Sequence, residues 1–279
     1  LFSATFPAQI KSIAGRIMLN PIRIEAPSTD EHSTIEQHFY RVEDDAQRMM
    51  ALRLLLLQHS PESVLVFCNT KKETQQVADT LADHGFHALA LHGDLEQRDR
   101  DQTMVQFANK SVSILVATDV AARGLDVDSL DAVINYHIPH EPETYIHRIG
   151  RTGRAGKQGI ALSLYRKNPY RMTMLGDAIG RSIESEALPP PDVLDKPAMK
   201  AAMATLQIGG GKKQKVRPGD ILGALTGEHG IAGKQVGKIQ VFDNWAYVAV
   251  ERSVLKVALR KLSEGQLKGR SFRVRQISG

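Results

Sequence analysis

The sequence has little cysteine and only short hydrophobic runs. Its 279 residues include one cysteine, Cys68, so no disulfide can form within the chain and a reducing, cytoplasmic location is expected. Cys68 ends the apolar run 64–68 and is interpreted as a core residue. Apolar runs such as Leu54 to Leu57 are far shorter than the roughly 20 residues of a membrane-spanning helix. No secretory signal pattern is visible, so no membrane partner is expected.

The first residue is Leu1 rather than methionine, and the chain opens within an apolar stretch. We therefore expect a fragment of a longer protein, without deciding whether the truncation is natural. Its length is sufficient for two domains.

Charge is distributed unevenly along the chain. Residues 196–279 contain 16 lysines and arginines against 5 acidic residues, a net charge of +11, whereas the whole chain carries +5. Residues 1–195 therefore carry −6. A basic tail on a mildly acidic body indicates a polyanionic partner, most often a nucleic acid. A basic domain without such a partner is the alternative.

Residues from about 21 to 180 alternate short apolar runs with polar, helix-compatible stretches. The apolar runs lie at 64–67, 88–91, 114–117, 132–134 and 160–164. This alternation is typical of an α/β domain, in which a parallel sheet has helices on both faces.

Small polar residues follow three of these apolar runs. Asn69 and Thr70 follow the first, residues 92–94 (HGD) the second and Thr118 the third. Open α/β sheets bind ligands at the carboxyl ends of their strands, so these residues could line a groove for a phosphate backbone. Asn69 and Asp94 could instead each cap the helix that follows.

A proline-rich segment divides the chain. Residues 186–198 contain four prolines, which predicts a semi-rigid linker over 186–203. Beyond it, strands are predicted at 204–209, 237–242, 245–251 and 270–277, and helices at 218–226 and 253–262. This βαββαβ order favours a small α+β domain, in which two helices back a four-stranded antiparallel sheet.

A short arginine-rich segment follows a predicted helix. Pro142 favours a helix start, and Gly150 and Gly153 should end that helix, leaving Arg151 and Arg154 near a loop. A guanidinium stabilises the negative charge that builds on a γ-phosphate during phosphoryl transfer. A basic helix end on a solvated surface is the alternative.

Several motifs together make the chain resemble the DEAD-box RNA helicases. Residues 3–5 (SAT) are similar to a family motif that links ATP hydrolysis to strand separation. Residues 97–100 (QRDR) resemble an RNA-contacting motif, and 117–126 (ATDVAARGLD) one that contacts both RNA and nucleotide. Residues 147–154 (HRIGRTGR) resemble the arginine-finger motif. The motifs occur in the family's order, and histidine at 147 favours the DEAD-box group over its DEAH relatives.

The resemblance implies a domain plan. Residues 1–20 would end a first RecA-like domain, 21–185 would form the second, and 204–279 would be an RRM-like RNA-binding domain. It also implies an RNA-dependent ATPase and ATP-dependent RNA helicase, with ATP and Mg²⁺ as cofactors. The ATP-binding loop and the Asp-Glu-Ala-Asp segment would lie before Leu1, so the fragment alone is expected to be inactive and to hold no metal.

By the same resemblance, Arg154 would contact the γ-phosphate, Arg151 would assist, and His147 would couple the nucleotide to the first domain. A structural role for His147, and a turn role for Asp126, remain open. The expected ATP-contacting residues are Gly124 and Asp126, and the expected coupling residues are Ser3 and Thr5.

RNA contacts are expected in both domains. Phosphate contacts in the RecA-like part position RNA without reading its sequence, although a solvated helix face remains an alternative for Arg100. These candidates are Asn69, Thr70, Gly93, Gln97, Arg100 and Thr118.

In the basic tail, Trp245 and Tyr247 point to one side of a predicted strand and resemble the base-stacking residues of an RNA-recognition motif. Gln207 stands where that motif usually has an aromatic residue, which weakens this mode, and Trp245 could instead pack in a core or at an edge. Binding can otherwise rely on helix and loop surfaces that carry Lys212, Lys213, Lys215, Arg217, Lys238, Lys268 and Arg270.

The tail, with residues 217–227 (RPGDILGALTG), resembles the RNA-binding domain of one bacterial group of DEAD-box helicases. That resemblance implies action on 23S ribosomal RNA, with the large ribosomal subunit precursor as partner. Three alternatives remain: a non-enzymatic rRNA-binding module, a general RNA helicase, and a DNA helicase. The first would bind RNA tightly without hydrolysing ATP. The second would respond equally to all RNAs, and the third to DNA as well as to RNA.

Overall fold

The structure is a computed structural model that describes residues 14–18, 34–123, 130–153 and 158–277. Residues 1–30 and 31–279 form separate compact units, and the strands and helices named below belong to the second. Within the described residues, no helix is both long enough and apolar enough to cross a membrane.

Six strands form a parallel sheet in the order β1-β6-β5-β2-β4-β3. The predicted α/β fold is confirmed. Every residue of β2, β4 and β5 is buried, as expected for parallel strands covered on both faces. The strands are β1 (Ile35–Arg41), β2 (Val64–Phe67), β3 (Ala88–Leu91), β4 (Ile114–Ala117), β5 (Ala132–Asn135) and β6 (Gly159–Tyr165).

Six helices accompany this sheet, and together they form the parallel-sheet domain (residues 35–183). One hydrophobic core unites the leucines of α1 with residues of α2 and the sheet, and two further clusters involve α3, α5 and α6. The helices are α1 (Asp45–His59), α2 (Lys71–Asp83), α3 (Gln97–Ala108), α4 (Asp119–Ala122), α5 (Pro142–Ile149) and α6 (Pro169–Ile179).

The remaining strands form a four-stranded antiparallel sheet in the order β10-β7-β9-β8. Two helices cover one of its faces, so the predicted α+β arrangement is confirmed. Predicted strand 270–277 begins only at Val274, because Leu267 and Arg270 pair in a tight turn before it. The elements of this basic domain (residues 203–277) are β7 (Met203–Ile208), α7 (Pro218–Thr226), β8 (Val236–Val241), β9 (Ala246–Glu251), α8 (Leu255–Glu264) and β10 (Val274–Ile277).

The proline-rich segment between the domains packs against the parallel-sheet domain. The backbone N–H of Glu186 donates to the carbonyl of Phe39 in β1 at 2.8 Å. Val193 lies in a short 3₁₀ helix and is buried in the core that contains α1. The predicted linker is therefore held along much of its length rather than spanning open solvent.

The second face of the antiparallel sheet packs on α3. Val105 of α3 forms a hydrophobic cluster with Tyr247 and Ile277. Ser111, just beyond α3, lies with its hydroxyl 2.7 Å from that of Thr205 in β7, and the Asn109 amide donates to the same hydroxyl at 3.2 Å. These contacts connect the two domains directly, in addition to the linker.

Candidate nucleotide and RNA interface

The sheet order brings three of the predicted polar strand ends together. Strands β2, β4 and β3 are neighbours, so Thr70, Thr118 and Gly93 emerge at one edge. Thr70 Oγ1 accepts the N–H of Glu73 at 3.2 Å, and Thr118 Oγ1 accepts that of Ala121 at 3.4 Å. Both threonines thus cap helices. Capping uses a lone pair and leaves each O–H free to donate to a phosphate oxygen.

The helix N-terminal caps proposed for Asn69 and Asp94 are not formed by these residues. Thr70 rather than Asn69 caps α2, and the Asn69 N–H donates to Glu73 Oε2 at 3.2 Å. Asp94 does not cap α3, whose cap position is Glu96. Asp94 instead forms an exposed ion pair with Lys71 at 2.5 Å. The hydrogen bond from Lys71 lowers the pKa of Asp94, desolvation opposes it, and the charges of Lys71 and His92 lower it further.

The ion pair between Lys71 and Asp94 joins the loops after β2 and β3. Gly93 lies between these groups, and a Cβ atom built on it would be 3.5 Å from Lys71 Cε. Sequence reasoning did not single out Lys71, because a lone lysine at a helix start carries no distinctive pattern.

The two polar residues of the predicted RNA-contacting motif at the start of α3 both have partners within the protein. The Gln97 amide donates to Asp101 Oδ1 at 2.7 Å. The Arg100 guanidinium donates to the carbonyl of Ala121, at the end of α4, at 2.9 Å. Arg100 is half-buried, so it is not simply part of a solvated face, and its other N–H groups remain able to donate.

Arg148 is the most constrained cation of this edge, and sequence reasoning gave it no role. Its side chain is 2% exposed. It donates to both carboxylate oxygens of Asp119, at 2.6 and 2.7 Å, and to Asn135 Oδ1 at 3.0 Å. Its guanidinium also lies over the Phe67 ring, 4.9 Å from the centroid. Arg148 therefore ties α5 to the first residue of α4 and to the ends of β2 and β5.

A second, partly buried cluster lies beside it. Arg48 Nη1 lies 2.5 Å from His137 Nδ1, and His137 Nε2 lies 2.5 Å from Glu73 Oε1. Burial alone would raise the pKa of Glu73, but the hydrogen bond and charge of His137, with Arg48 and the Asn69 N–H, lower it below its usual range. The cluster joins α1, α2 and the end of β5. It too was missed, because its members are far apart in sequence.

The arginine segment follows α5 as predicted. Pro142 is the first residue of α5 and Gly150 follows its last residue. Tyr145, Arg148 and Ile149 are buried, whereas His147 is exposed on the other side of the helix, as helical periodicity requires.

Gly153 shapes the turn after Arg151. Its φ is +68°, and a Cβ atom there would lie 2.5 Å from Ile35 Cγ1 in β1. Only glycine permits both this left-handed conformation and the close approach. The Arg151 backbone is held by bonds to Arg148 and Leu130, so the start of the loop is fixed. The expected site residues Arg154, Gly124, Asp126, Ser3 and Thr5 lie outside the described residues.

The two expected stacking residues of the basic domain are not equally available. Tyr247 is fully buried between β7 and α3, where its hydroxyl accepts from the Gln207 amide at 3.2 Å. This burial raises the pKa of Tyr247. In this arrangement no base can stack on Tyr247, because α3 covers that part of the sheet. Trp245 is half-buried at the rim of the same face.

Most of the predicted basic contacts cluster at one end of the basic domain. Lys268 Nζ donates to the carbonyl of Lys215 at 3.1 Å and lies 3.4 Å from Asp220 of α7. Lys238 lies apart from them in β8. All seven basic residues predicted to contact RNA are exposed: Lys212, Lys213, Lys215, Arg217, Lys238, Lys268 and Arg270.

Among the described residues, no group of three or more His, Cys, Asp or Glu side chains is arranged to hold a metal ion. The carboxylates of Asp94, Glu73 and Asp119 at the carboxyl edge are paired with Lys71, His137 and Arg148, so the groups left to contact a ligand are the threonine hydroxyls, backbone N–H groups and the Arg100 guanidinium. Such groups suit phosphate oxygens, which accept hydrogen bonds and carry negative charge.

Comparison with known families gives two matches. The helicase conserved C-terminal domain matches residues 47–156, and the DbpA RNA binding domain matches residues 205–276. The chain is 49% identical over 278 residues to the ATP-dependent RNA helicase DbpA of Escherichia coli strain K12. That alignment covers 99% of this chain and 60% of the relative's length.

Solved structures give the same result for the parallel-sheet domain. A DEAD box protein from Methanococcus jannaschii aligns with a TM-score of 0.52 at 41% identity, over 67% of this chain and 50% of that one. The Escherichia coli DEAD-box protein SrmB, bound to the regulator RraA, aligns with a TM-score of 0.53 at 33% identity. It covers 60% of this chain and 96% of the SrmB chain.

Proposed function

Because the chain belongs to the DEAD-box RNA helicase family, we propose that it supplies the second RecA-like domain and the RNA-binding domain of an ATP-dependent RNA helicase. The chain spans 60% of the length of its Escherichia coli relative. The activity proposed here is that of the intact protein, in which a first RecA-like domain would hold ATP and Mg²⁺.

The buried Arg148 carries this proposal. It binds Asp119 through two hydrogen bonds of 2.6 and 2.7 Å and so fixes α5 against the segment that resembles the nucleotide- and RNA-contacting motif. Catalysis of phosphoryl transfer depends almost entirely on positioning and on electrostatic stabilisation. An arginine segment held by the bidentate pair of the buried Arg148 with Asp119, and turned at Gly153, meets the positioning requirement.

The proposed roles follow from this placement. Arg151 and Arg154 stabilise the charge that develops on the γ-phosphate, and His147, exposed on α5, couples the nucleotide to Ser3 and Thr5. ATP binding completes the cleft between the two RecA-like domains, and hydrolysis reopens it. The ATP contacts assigned to this chain are Gly124 and Asp126.

RNA would lie along the carboxyl edge of the sheet, where Thr70, Gly93 and Thr118 meet. The donors there are hydroxyls and backbone N–H groups, which position a phosphate backbone without reading bases. Asn69, Gln97 and Arg100 flank this edge. Selectivity is assigned to the basic domain, and 23S ribosomal RNA in a large ribosomal subunit precursor is the proposed target.

The test is ATP turnover by the intact protein, with and without residues 196–279, in the presence of 23S rRNA or a random RNA of equal length. We expect 23S rRNA to stimulate turnover selectively, and the selectivity to disappear with the tail. Equal stimulation by both RNAs would indicate a general RNA helicase. Equal stimulation by DNA would indicate a DNA helicase, and tight RNA binding without turnover a non-enzymatic module.

The arginine assignment has its own test in the same assay. Arg154→Ala should lower RNA-stimulated turnover by about 10³- to 10⁵-fold, the contribution of arginine fingers in related reactions, and Arg151→Ala should also lower it. The matched control is Arg166→Ala, which removes an exposed arginine paired with Asp45 on the surface. Near wild-type turnover in Arg154→Ala would contradict the assignment.

A further inference from the structure

A groove lies where α3 meets the edge of the basic domain, and none of the expected RNA contacts except Trp245 lines it. It has a volume of 310 Å³. Arg98 of α3 lines one side, and Asn244, Trp245, Arg273 and Arg275 of the basic domain line the other. Most of the lining belongs to the basic domain, and α3 contributes Arg98, so the side of the groove that Arg98 forms depends on the packing of the two domains.

The charge of the groove is uniformly positive. Arg98, Arg273 and Arg275 are all exposed, and no acidic residue is among the lining residues. Across the described part of the chain, none of these three guanidiniums forms an ion pair. Arg275 donates to Gln207 Oε1 at 2.8 Å, which orients its guanidinium. Three such groups without carboxylates favour an anion, and their planar forks suit phosphate oxygens.

The uncharged residues favour a nucleotide over a simple anion. Trp245 presents an aromatic side chain beside the arginines, and aromatic rings bind unpaired bases by stacking. The exposed amide of Asn244 carries both donors and an acceptor, which can pair with the edge of a base.

The groove is also continuous with the clustered lysines of the basic domain. The backbone N–H of Lys212 donates to the carbonyl of Phe242 at 2.8 Å, and that of Lys213 to the carbonyl of Asp243 at 2.9 Å. The lysine-bearing loop is thus held beside the turn that carries Asn244 and Trp245. One RNA strand could therefore contact both surfaces.

We propose that this interdomain groove binds an unpaired RNA nucleotide, with the arginines on its phosphates and Trp245 on its base. The proposal rests on the proposed RNA-helicase function and adds a contact site to it. A strand that leaves the basic domain through the groove would be directed along α3, whose first turn carries Gln97 and Arg100. The groove would thereby orient bound RNA relative to the RecA-like domain.

Trp245 is the only tryptophan of the chain, so its fluorescence reports directly on the groove. The full chain is titrated with a uridine hexanucleotide and with an abasic ribose-phosphate hexamer of equal charge. We expect the uridine hexamer to quench the fluorescence and the abasic hexamer to quench it much less, because only the former can stack. Equal quenching by both, or none by either, would overturn the proposal.

Charge variants give the second part of the test. Arg98→Gln and Arg273→Gln should each weaken hexamer binding by about 5- to 20-fold at low salt, the range expected for loss of one charge-assisted phosphate contact. Each should also reduce the slope of log affinity against log salt by about 0.7. The matched control is Arg260→Gln, in which an exposed arginine is removed from α8 on the opposite face of the sheet. Wild-type affinity in both groove variants would overturn the proposal.

The same samples separate this proposal from the proposed function. Binding of labelled 23S rRNA is followed by anisotropy, and ATP turnover is measured on the intact protein. Normal rRNA binding and turnover without a Trp245 signal would contradict only the groove proposal. Absence of any RNA binding would contradict both the groove proposal and the proposed function. If hexaglutamate quenches Trp245 and RNA does not, the groove is a protein-docking surface and the proposal is overturned.

Discussion

Arg148 shows how much of the site depends on one side chain. It is among the largest fully buried side chains of the described residues, and its guanidinium is shared by Asp119, Asn135 and the carbonyl of His137. Asp119 is 35% exposed, so the ion pair itself adds modestly to stability, but loss of the guanidinium would leave the buried Asn135 Oδ1 without a donor. The side chain is therefore expected to matter for stability as well as for position.

Arg148→Met should lower the free energy of unfolding by about 1–3 kcal/mol, because the buried acceptor Asn135 Oδ1 would lose its donor, while Asp119, which is 35% exposed, could be solvated. Urea denaturation measures this change. Arg166→Met removes an exposed, surface-paired arginine and should cost about 0–1 kcal/mol. If the two variants lose similar stability, Arg148 does not hold α5 in the way described.

Cys68 offers a test of burial at the end of β2. The thiol is fully buried, and burial raises its pKa well above the usual value, so little reactive thiolate is present at neutral pH. We expect a thiol reagent to modify the native chain at least about 100-fold more slowly than the urea-unfolded chain. Similar rates in both states would show that this edge of the sheet opens readily.

At the scale of elements, α3 serves both domains. Its Arg100 contacts the end of α4, whereas Val105 packs on the basic domain and Arg98 lines the groove between the domains. A rotation of α3 would therefore change both surfaces at once.

His87 lies at the same junction and makes the contact sensitive to pH. Its Nδ1 accepts from the Ala201 N–H at 3.3 Å and from the Arg252 guanidinium at 3.1 Å. Burial lowers the pKa of His87, and the positive charges of Arg252 and Lys200 lower it further. Neutral histidine is thus favoured in the folded state.

The His87 contribution to stability should be fully present above about pH 6.5, the usual pKa of an unfolded histidine. It should be lost as the pH falls from there through the lowered folded-state pKa, because the unfolded state binds the proton first. Urea unfolding at pH 7.5 and 5.5 measures the loss, and His87→Gln should show a smaller difference between the two. An equal pH dependence in the variant would contradict this role.

The sequence allowed the elements to be predicted better than their contacts. Alternating runs located β2 to β6 closely, and Pro142 with Gly150 located both ends of α5, because these signals are local. The burial of Arg148 could have been read from its spacing with Tyr145 and Ile149 on one helix face. The contacts of Arg48 with His137 and of Lys71 with Asp94 could not be predicted from the sequence, because they depend on which strands become neighbours in the sheet.

The packing of the basic domain on α3 could not be predicted from the sequence either. Residues on the covered face of the sheet include Thr205, Gln207 and Tyr247, whose polar groups suit solvent, RNA or another domain equally well. The stacking role predicted for Tyr247 depended on that face being open. Contacts with Val105, Ile277 and the Gln207 amide account for its burial instead.

At the scale of the whole molecule, the linker helps to determine how the domains are arranged. Glu186 pairs with edge strand β1, and Val193 is 5% exposed in the core beside α1. A segment held in this way opens to proteases only when its buried contacts break.

Val193→Asp should expose the linker, because it removes about 1.5–3 kcal/mol of apolar burial and would bury a charge. Cleavage between residues 186 and 203 by a protease of low specificity should become about 10- to 100-fold faster. Asp192→Ala changes an exposed neighbour and should leave the rate unchanged. Rapid cleavage of the wild-type linker would show that it is not held.

The covered face of the antiparallel sheet has a consequence for protein engineering. The basic domain cannot simply be exchanged between proteins, because one face of its sheet packs on Val105, Asn109 and Ser111 of the parallel-sheet domain. If residues 203–277 were joined to a different helicase core, the RNA binding proposed for them would move with them, but their orientation relative to that core would not. In such a chimera, the helix equivalent to α3 would have to be redesigned to pack on the antiparallel sheet before the basic domain could hold RNA in a fixed orientation.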